Sequence, residues 1–119
     1  MTEHVLMLDL REDPQLIAAY EAWHAPGKVP KAVVRSIRSS GVKAMRIFRS
    51  GNRLVMVMEV HPSFDPAARS ALSQADPDVQ AWEVLMDRFQ QRLSWAEPGQ
   101  KWVPAERMFD LEEQGRTDA

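Results

Sequence analysis

Hydrophobic residues along the chain fall into short dense runs and longer spaced stripes, and the two kinds predict different elements. Residues 5–10 (VLMLDL) form a dense run that ends in charged residues, the length of a strand. From Asp13 the pattern changes. Leu16, Ile17, Tyr20, Trp23 and His24 recur at spacings of three and four, with Asp13 able to cap a helix and Pro14 suited to its first turn. Pro26 and Gly27 break that helix, and a second helical piece is predicted over 30–40 with Val33, Val34 and Ile37 on its apolar side. Residues 42–50 and 54–60 flank Gly51-Asn52, which reads as a β-hairpin. Its first strand sets Met45 and Ile47 opposite Val42, Ala44 and Phe48. Its second is apolar on both faces except at Glu59, as a central strand buried on both sides would be.

HPSFDP (61–66) reads as a loop, followed by a helical region whose main part starts near Pro77. Val79, Trp82, Leu85, Met86, Phe89 and Leu93 make its stripe. Residues 95–104 are a Pro/Gly-rich loop, 105–111 a last strand, and the remaining residues a polar tail. The order β-α-β-β-α-β is that of a ferredoxin-like α+β fold, with residues 1–112 as one domain and 113–119 as the tail. Helices cover one face of such a sheet. The apolar pattern on its other face predicts a symmetric homodimer, two sheets packed face to face.

Composition narrows the functional classes. A formal net charge of −2 without a basic cluster argues against nucleic acid as a partner. The absence of cysteine removes disulfides, zinc-thiolate sites and thiol nucleophiles. No run approaches the roughly 20 apolar residues of a membrane span. With no secretory signal pattern either, a cytoplasmic protein is expected. No HExxH, EF-hand or phosphate-cradling glycine motif is present, so neither a metal nor a nucleotide or flavin cofactor is expected.

The candidate chemistry lies at the end of the first helix. Tyr20 and His24 are four apart, one above the other, where a helix break opens their face. His24 is the side chain suited to moving a proton near neutral pH; equally, it can be a helix-terminal residue favoured by the dipole, with Tyr20 and Trp23 as core aromatics. Trp82 can stack on a sugar or pack in the core. Glu59 in its apolar strand is either a site carboxylate or the partner of Arg46 or Arg49, and Asp9 is ambiguous in the same way.

YEAWH (20–24), the following helix ending SSG, the strand pair and VQAWEVLM (79–86) together resemble the L-rhamnose mutarotase family, over nearly the whole chain and in the same order. The resemblance implies a dimeric α/β barrel that interconverts the α and β anomers of a free 6-deoxysugar without a cofactor. It makes His24 the proton donor, Tyr20 a neighbouring sugar contact and Trp82 the first of two tryptophans lining the sugar site. The second tryptophan is Glu83 here, and a family tyrosine on the second strand is Met45. PGQKWVPAERMF (98–109) resembles a subgroup associated with L-fucose, so the implied substrate is L-fucose or L-rhamnose. The proton-transfer partner of His24 is Tyr20, Glu59 or Asp9. A non-catalytic sugar-binding module and another cofactor-free dimeric-barrel enzyme, such as a small oxygenase, are the alternatives.

Overall fold

The computed structural model describes residues 2–115. Strand β1 (Thr2–Leu10) is followed by helices α1 (Pro14–Trp23) and α2 (Lys31–Ser39), then by strands β2 (Val42–Ser50) and β3 (Arg53–Val60). Helices α3 (Pro66–Ala75) and α4 (Pro77–Asp87) come next, and two short strands, β4 (Gln90–Gln91) and β5 (Val103–Pro104), complete the sheet. The expected βαββαβ order is present, with each crossover made of two helical pieces. The α3 piece corrects the sequence reading only by starting inside the segment taken as loop.

Three of the four α-helices start at an Asp-Pro pair. Asp13 Oδ1 accepts from the amides of Gln15 and Leu16, Asp65 Oδ1 from Ala67, and Asp76 Oδ1 from Asp78 and Val79. Each aspartate satisfies amides that the first turn leaves without a helical partner, and each proline sits where its missing N–H costs nothing.

The sheet is antiparallel in the order β2-β3-β1-β4, with β5 also on β1. Gly51, at φ 60°, is the first central residue of the hairpin loop between Ser50 and Arg53, a position that needs glycine in a type II′ turn. Directly opposed residues share a face. Leu8 with Leu54, Leu6 with Met56 and His4 with Met58 face the helices; Met7 with Val55, Val5 with Val57 and Glu3 with Glu59 face away. A bulge between Val42 and Ala44 shifts the parity of β2. Val42 therefore joins Met45 and Ile47 on the helix-facing side, where simple alternation had separated them.

The core lies between that face and the helices. Leu10, Tyr20, Leu54, Met86 and Phe89 form one buried cluster, Val42, Met56, Met58 and Val60 another, and Trp102 packs against both. Phe89 and Leu93 are buried as the stripe predicts, but the helix ends at Asp87 and they are carried by the chain that follows it.

The expected last strand, 105–111, is not one. The edge of β1 is paired instead by Gln90–Gln91 and Val103–Pro104, and the amide of Ala105 makes the last bond, to the carbonyl of Val5 (2.8 Å). Beyond it Asp110 accepts from the amide of Glu112 and starts a 3-10 turn, Leu111–Gln114. This competing local cap ends the extended run, and the turn crosses the boundary expected at residue 112. Residues 116–119 of the expected tail lie outside the described residues. No described helix is long and apolar enough to cross a membrane.

Asp76 holds the start of α4, so Asp76→Ala should lower stability by about 1 kcal/mol in urea unfolding, while Asp76→Asn, which keeps the accepting oxygen, should remain close to the parent.

Candidate active site

A cavity of about 560 Å³ opens between the helix-facing side of the sheet and the helices, a size suited to a small ligand. Met45, Ile47 and Met56 contribute from the sheet, Val33 and Ile37 from α2, and Met86 from α4. Tyr20, His24, Trp82, Glu83 and Gln90 supply much of its polar and aromatic lining.

The end of α1 creates the corner that holds His24. The amide of His24 turns back to the carbonyl of Glu21 (3.1 Å), which leaves the Tyr20 carbonyl without its i+4 amide. The His24 side chain takes that place, with Nδ1 2.7 Å from the Tyr20 oxygen. A carbonyl only accepts, so Nδ1 carries the hydrogen and Nε2 is the free ring nitrogen. The Ala25-Pro26-Gly27-Lys28 turn then carries the chain away. Lys28 N donates to Ala25 O (2.9 Å) and Gly27 has φ 79°, as the third position of a type II turn with proline at the second requires.

Aromatic contacts hold the imidazole. The Tyr20 ring lies 4.3 Å from it at 34°, and the Trp82 indole meets it edge-on at 5.4 Å. Trp23 packs edge-on against the outer side of Trp82 (6.2 Å) and is itself 40% exposed. Tyr20 is buried, and its hydroxyl accepts from Gln90 Nε2 at 3.3 Å. Burial raises the phenol's pKa, the Gln90 bond opposes this, and the charge of Glu83 adds to the rise. Tyr20 is therefore a neutral hydrogen-bonding group with its own O–H free to donate.

Glu83 lines the cavity but is not an unencumbered carboxylate. Lys101 bonds it at 2.6 Å and also reaches Asp87 at 2.8 Å. Burial depresses the Lys101 pKa, but its bonds to the two carboxylates outweigh this and the net shift is upward.

Of the residues expected at the site, Tyr20, His24, Met45, Trp82 and Glu83 meet in this cavity. Glu59 does not. It faces the other side of the sheet, opposite Glu3 and Ala44, because residues 54, 56, 58 and 60 supply the helix-facing side of β3. The alternative ion pair is also absent among the described residues: Arg49 pairs with Glu21 (2.7 Å) and Arg46 lies over the Phe48 ring. Asp9 is on that outer side as well, held by Arg53 at 2.8 and 3.2 Å. Of the three proposed partners of His24, only Tyr20 is beside it. Trp102, Arg69 and Gln90 also line the cavity; no local pattern in the sequence singles out the last two. Trp95 lies on the outer side, 5.4 Å from the Arg53 guanidinium carbon.

Among the described residues no group of three or more His, Asp or Glu could hold a metal ion. Fold and cavity define a ferredoxin-like α+β protein with an oriented histidine in a pocket of sugar size. The L-rhamnose mutarotase family model matches residues 3–111, and the chain belongs to that family. It is accordingly a mutarotase, an isomerase that exchanges the anomers of a free sugar. It is 50% identical to an L-fucose mutarotase from Xanthomonas campestris pv. campestris over 107 residues, 90% of this chain and 86% of that one. A UPF0734 protein of Dictyostelium discoideum is 34% identical, over 88% of this chain and 86% of its own. Two solved structures share the fold at 16% identity. L-rhamnose mutarotase from Formosa agariphila superposes with a TM-score of 0.67 over 93% of this chain and 99% of its own. Tetracenomycin F2 cyclase from Streptomyces glaucescens has a TM-score of 0.60 over 92% and 96%.

The raised phenol and ammonium pKa values give the fold an alkaline limit. Both groups are held in their protonated form, so their contribution to stability is complete below about pH 10, near their ordinary values of 10.0 and 10.5, and is lost as pH rises through the folded-state values. Tyr20→Phe, which cannot ionise, should show a shallower fall in melting temperature between pH 9 and about 11 than the parent.

Proposed function

We propose that the chain interconverts the anomers of a 6-deoxy-L-hexose, with L-fucose preferred over L-rhamnose, and that His24 carries the proton. The observation that carries this reading is the His24 Nδ1 bond to the Tyr20 carbonyl, which leaves Nε2 as the nitrogen for proton transfer. Mutarotation needs the proton of the anomeric hydroxyl removed and one delivered to the ring oxygen. Both oxygens sit on the same carbon, so one nitrogen can serve both. Nε2 accepts the hydroxyl proton, the C1–O5 bond breaks as C1=O forms, and the imidazolium returns the proton to O5. The open aldehyde turns about C1–C2 and closes on its other face by the reverse transfers. Tyr20, kept protonated, donates a hydrogen bond to the sugar without giving up its proton. Trp82 offers an indole beside His24 for the apolar side of the sugar.

The substrate preference is supported by the 50% identity to an L-fucose mutarotase. It is supported further by Met45 and Glu83, where the resemblance implies aromatic side chains in the rhamnose enzymes. The reading places the activity in the cytoplasm. His24→Ala should slow exchange of L-fucose anomers in saturation-transfer NMR by about 100-fold or more with little loss of folding. Exchange at the parent rate would remove His24 from the mechanism. The parent should exchange L-fucose faster than L-rhamnose.

The active form is proposed to be a homodimer through the outer face of the sheet. Val5, Met7, Val55 and Val57 lie on that face with Phe48, which is 52% exposed. After Ala105 the chain presents Met108, Phe109 and Leu111 at 96%, 59% and 73% exposure. The radius of gyration is 16.2 Å, against roughly 13.5 Å for a compact chain of this length. A second copy accounts for both the apolar face and the projecting arm. Light scattering should give a mass of about 27 kDa, twice the 13.6 kDa chain, and 13.6 kDa at micromolar concentration would refute the dimer.

A further inference from the structure

Two polar side chains in the cavity have unmet hydrogen-bonding capacity that the proton-transfer step does not use. Arg69, on α3, lines the cavity and is partly buried. Among the described residues it takes part in no salt bridge, and the acceptor for its Nη1 is the thioether sulfur of Met58 at 3.5 Å. Sulfur is a weak acceptor, and a guanidinium has five N–H donors. Burial lowers the Arg69 pKa, which Glu83 partly offsets, so the charge is desolvated without a direct carboxylate partner.

Gln90 complements it. Its strand β4 is fixed to Leu10, its Nε2 donates to the Tyr20 hydroxyl, and its Oε1 is a buried side-chain atom with no hydrogen-bond partner among the described residues. Gln90 lines the cavity, and its unpaired buried oxygen is costly unless a small turn of the carboxamide brings it to a ligand donor. Water alone can fill such positions, but a donor on one wall and an acceptor on another also discriminate between hydroxyl orientations. A pocket lined by Met45, Ile47 and Met56 cannot do this by apolar contact.

We propose that Arg69 and Gln90 are specificity-determining residues: Arg69 donates to, and Gln90 Oε1 accepts from, hydroxyl groups of the bound sugar away from its anomeric carbon. The inference rests on the 6-deoxyhexose reading of the cavity. L-Fucose and L-rhamnose differ in the orientation of their ring hydroxyls, so this pair would read the difference that the aromatic walls do not.

The test separates binding from exchange by using 1,5-anhydro-L-fucitol, which has the L-fucose hydroxyls but no anomeric hydroxyl and cannot mutarotate. Calorimetry should show that Arg69→Met and Gln90→Leu each weaken its binding by about tenfold or more, the usual cost of stranding a buried hydrogen-bonding group. Arg69→Lys, which keeps the charge and a donor, should lose less than Arg69→Met. With L-fucose, Arg69→Met should raise KM by a similar factor with kcat within about threefold, and should narrow the preference over L-rhamnose. Melting temperatures identify any variant that is merely unfolded; for position 69, Arg69→Lys then carries the comparison. Binding by Arg69→Met and Gln90→Leu within twofold of the parent, or no binding of the anhydro sugar by the parent, overturns the inference. If the parent binds it with this residue dependence but exchanges no anomers, the mutarotase reading fails and the recognition pair stands.

Discussion

The hydrogen bond between His24 Nδ1 and the Tyr20 carbonyl is the constraint on which the site depends. A helix end leaves carbonyls without amides, and most helices give them to water, to glycine-based caps or to tighter turns. Here one of them orients an imidazole. The same residue that supplies the carbonyl supplies the ring stacked on the histidine and the hydroxyl bonded to Gln90. Backbone carbonyl and ring of Tyr20 therefore act together on one imidazole, and the Pro26-Gly27 turn takes the chain off before another helical turn can cover it.

The sheet supports this corner through an unequal use of its two faces. Pairing of β1 with Gln90–Gln91 and then with Val103–Pro104 lets residues 92–102 leave the edge and return. The return brings Trp102 to the cavity and Lys101 to Glu83 and Asp87. A continuous fourth strand would place neither there. The outer face keeps Asp9, Arg53 and Glu59, which are polar groups near valines and Met7, and none of them reaches the cavity.

Much of this was legible in the sequence because local rules and tertiary structure agree. Tyr20 and His24 were found by helical spacing and a visible helix stop, and the hairpin by Gly51-Asn52. Asp65-Pro66 carries the same helix-start signal as Asp13-Pro14, and it could have placed α3 where a loop was expected. The closing strands were not legible, since pairs of residues have no periodicity and the alternation in 105–111 loses to the local cap at Asp110. Glu59 was misplaced for a different reason. Both faces of β3 are apolar, so parity alone does not say which of them meets the helices. Arg69 and Gln90 acquire their unmet bonds only from neighbours distant in sequence, Met58, Glu83 and Tyr20.

The central claim, that the helix end holds His24 with Nε2 free for proton transfer, is tested most directly by nitrogen NMR of the imidazole in the unliganded protein. At a pH where the ring is neutral, the account predicts a pyrrole-type Nδ1 carrying the hydrogen and a pyridine-type Nε2 without one, with the Nδ1 hydrogen slow to exchange. The opposite tautomer, or a ring averaging between the two, would contradict it.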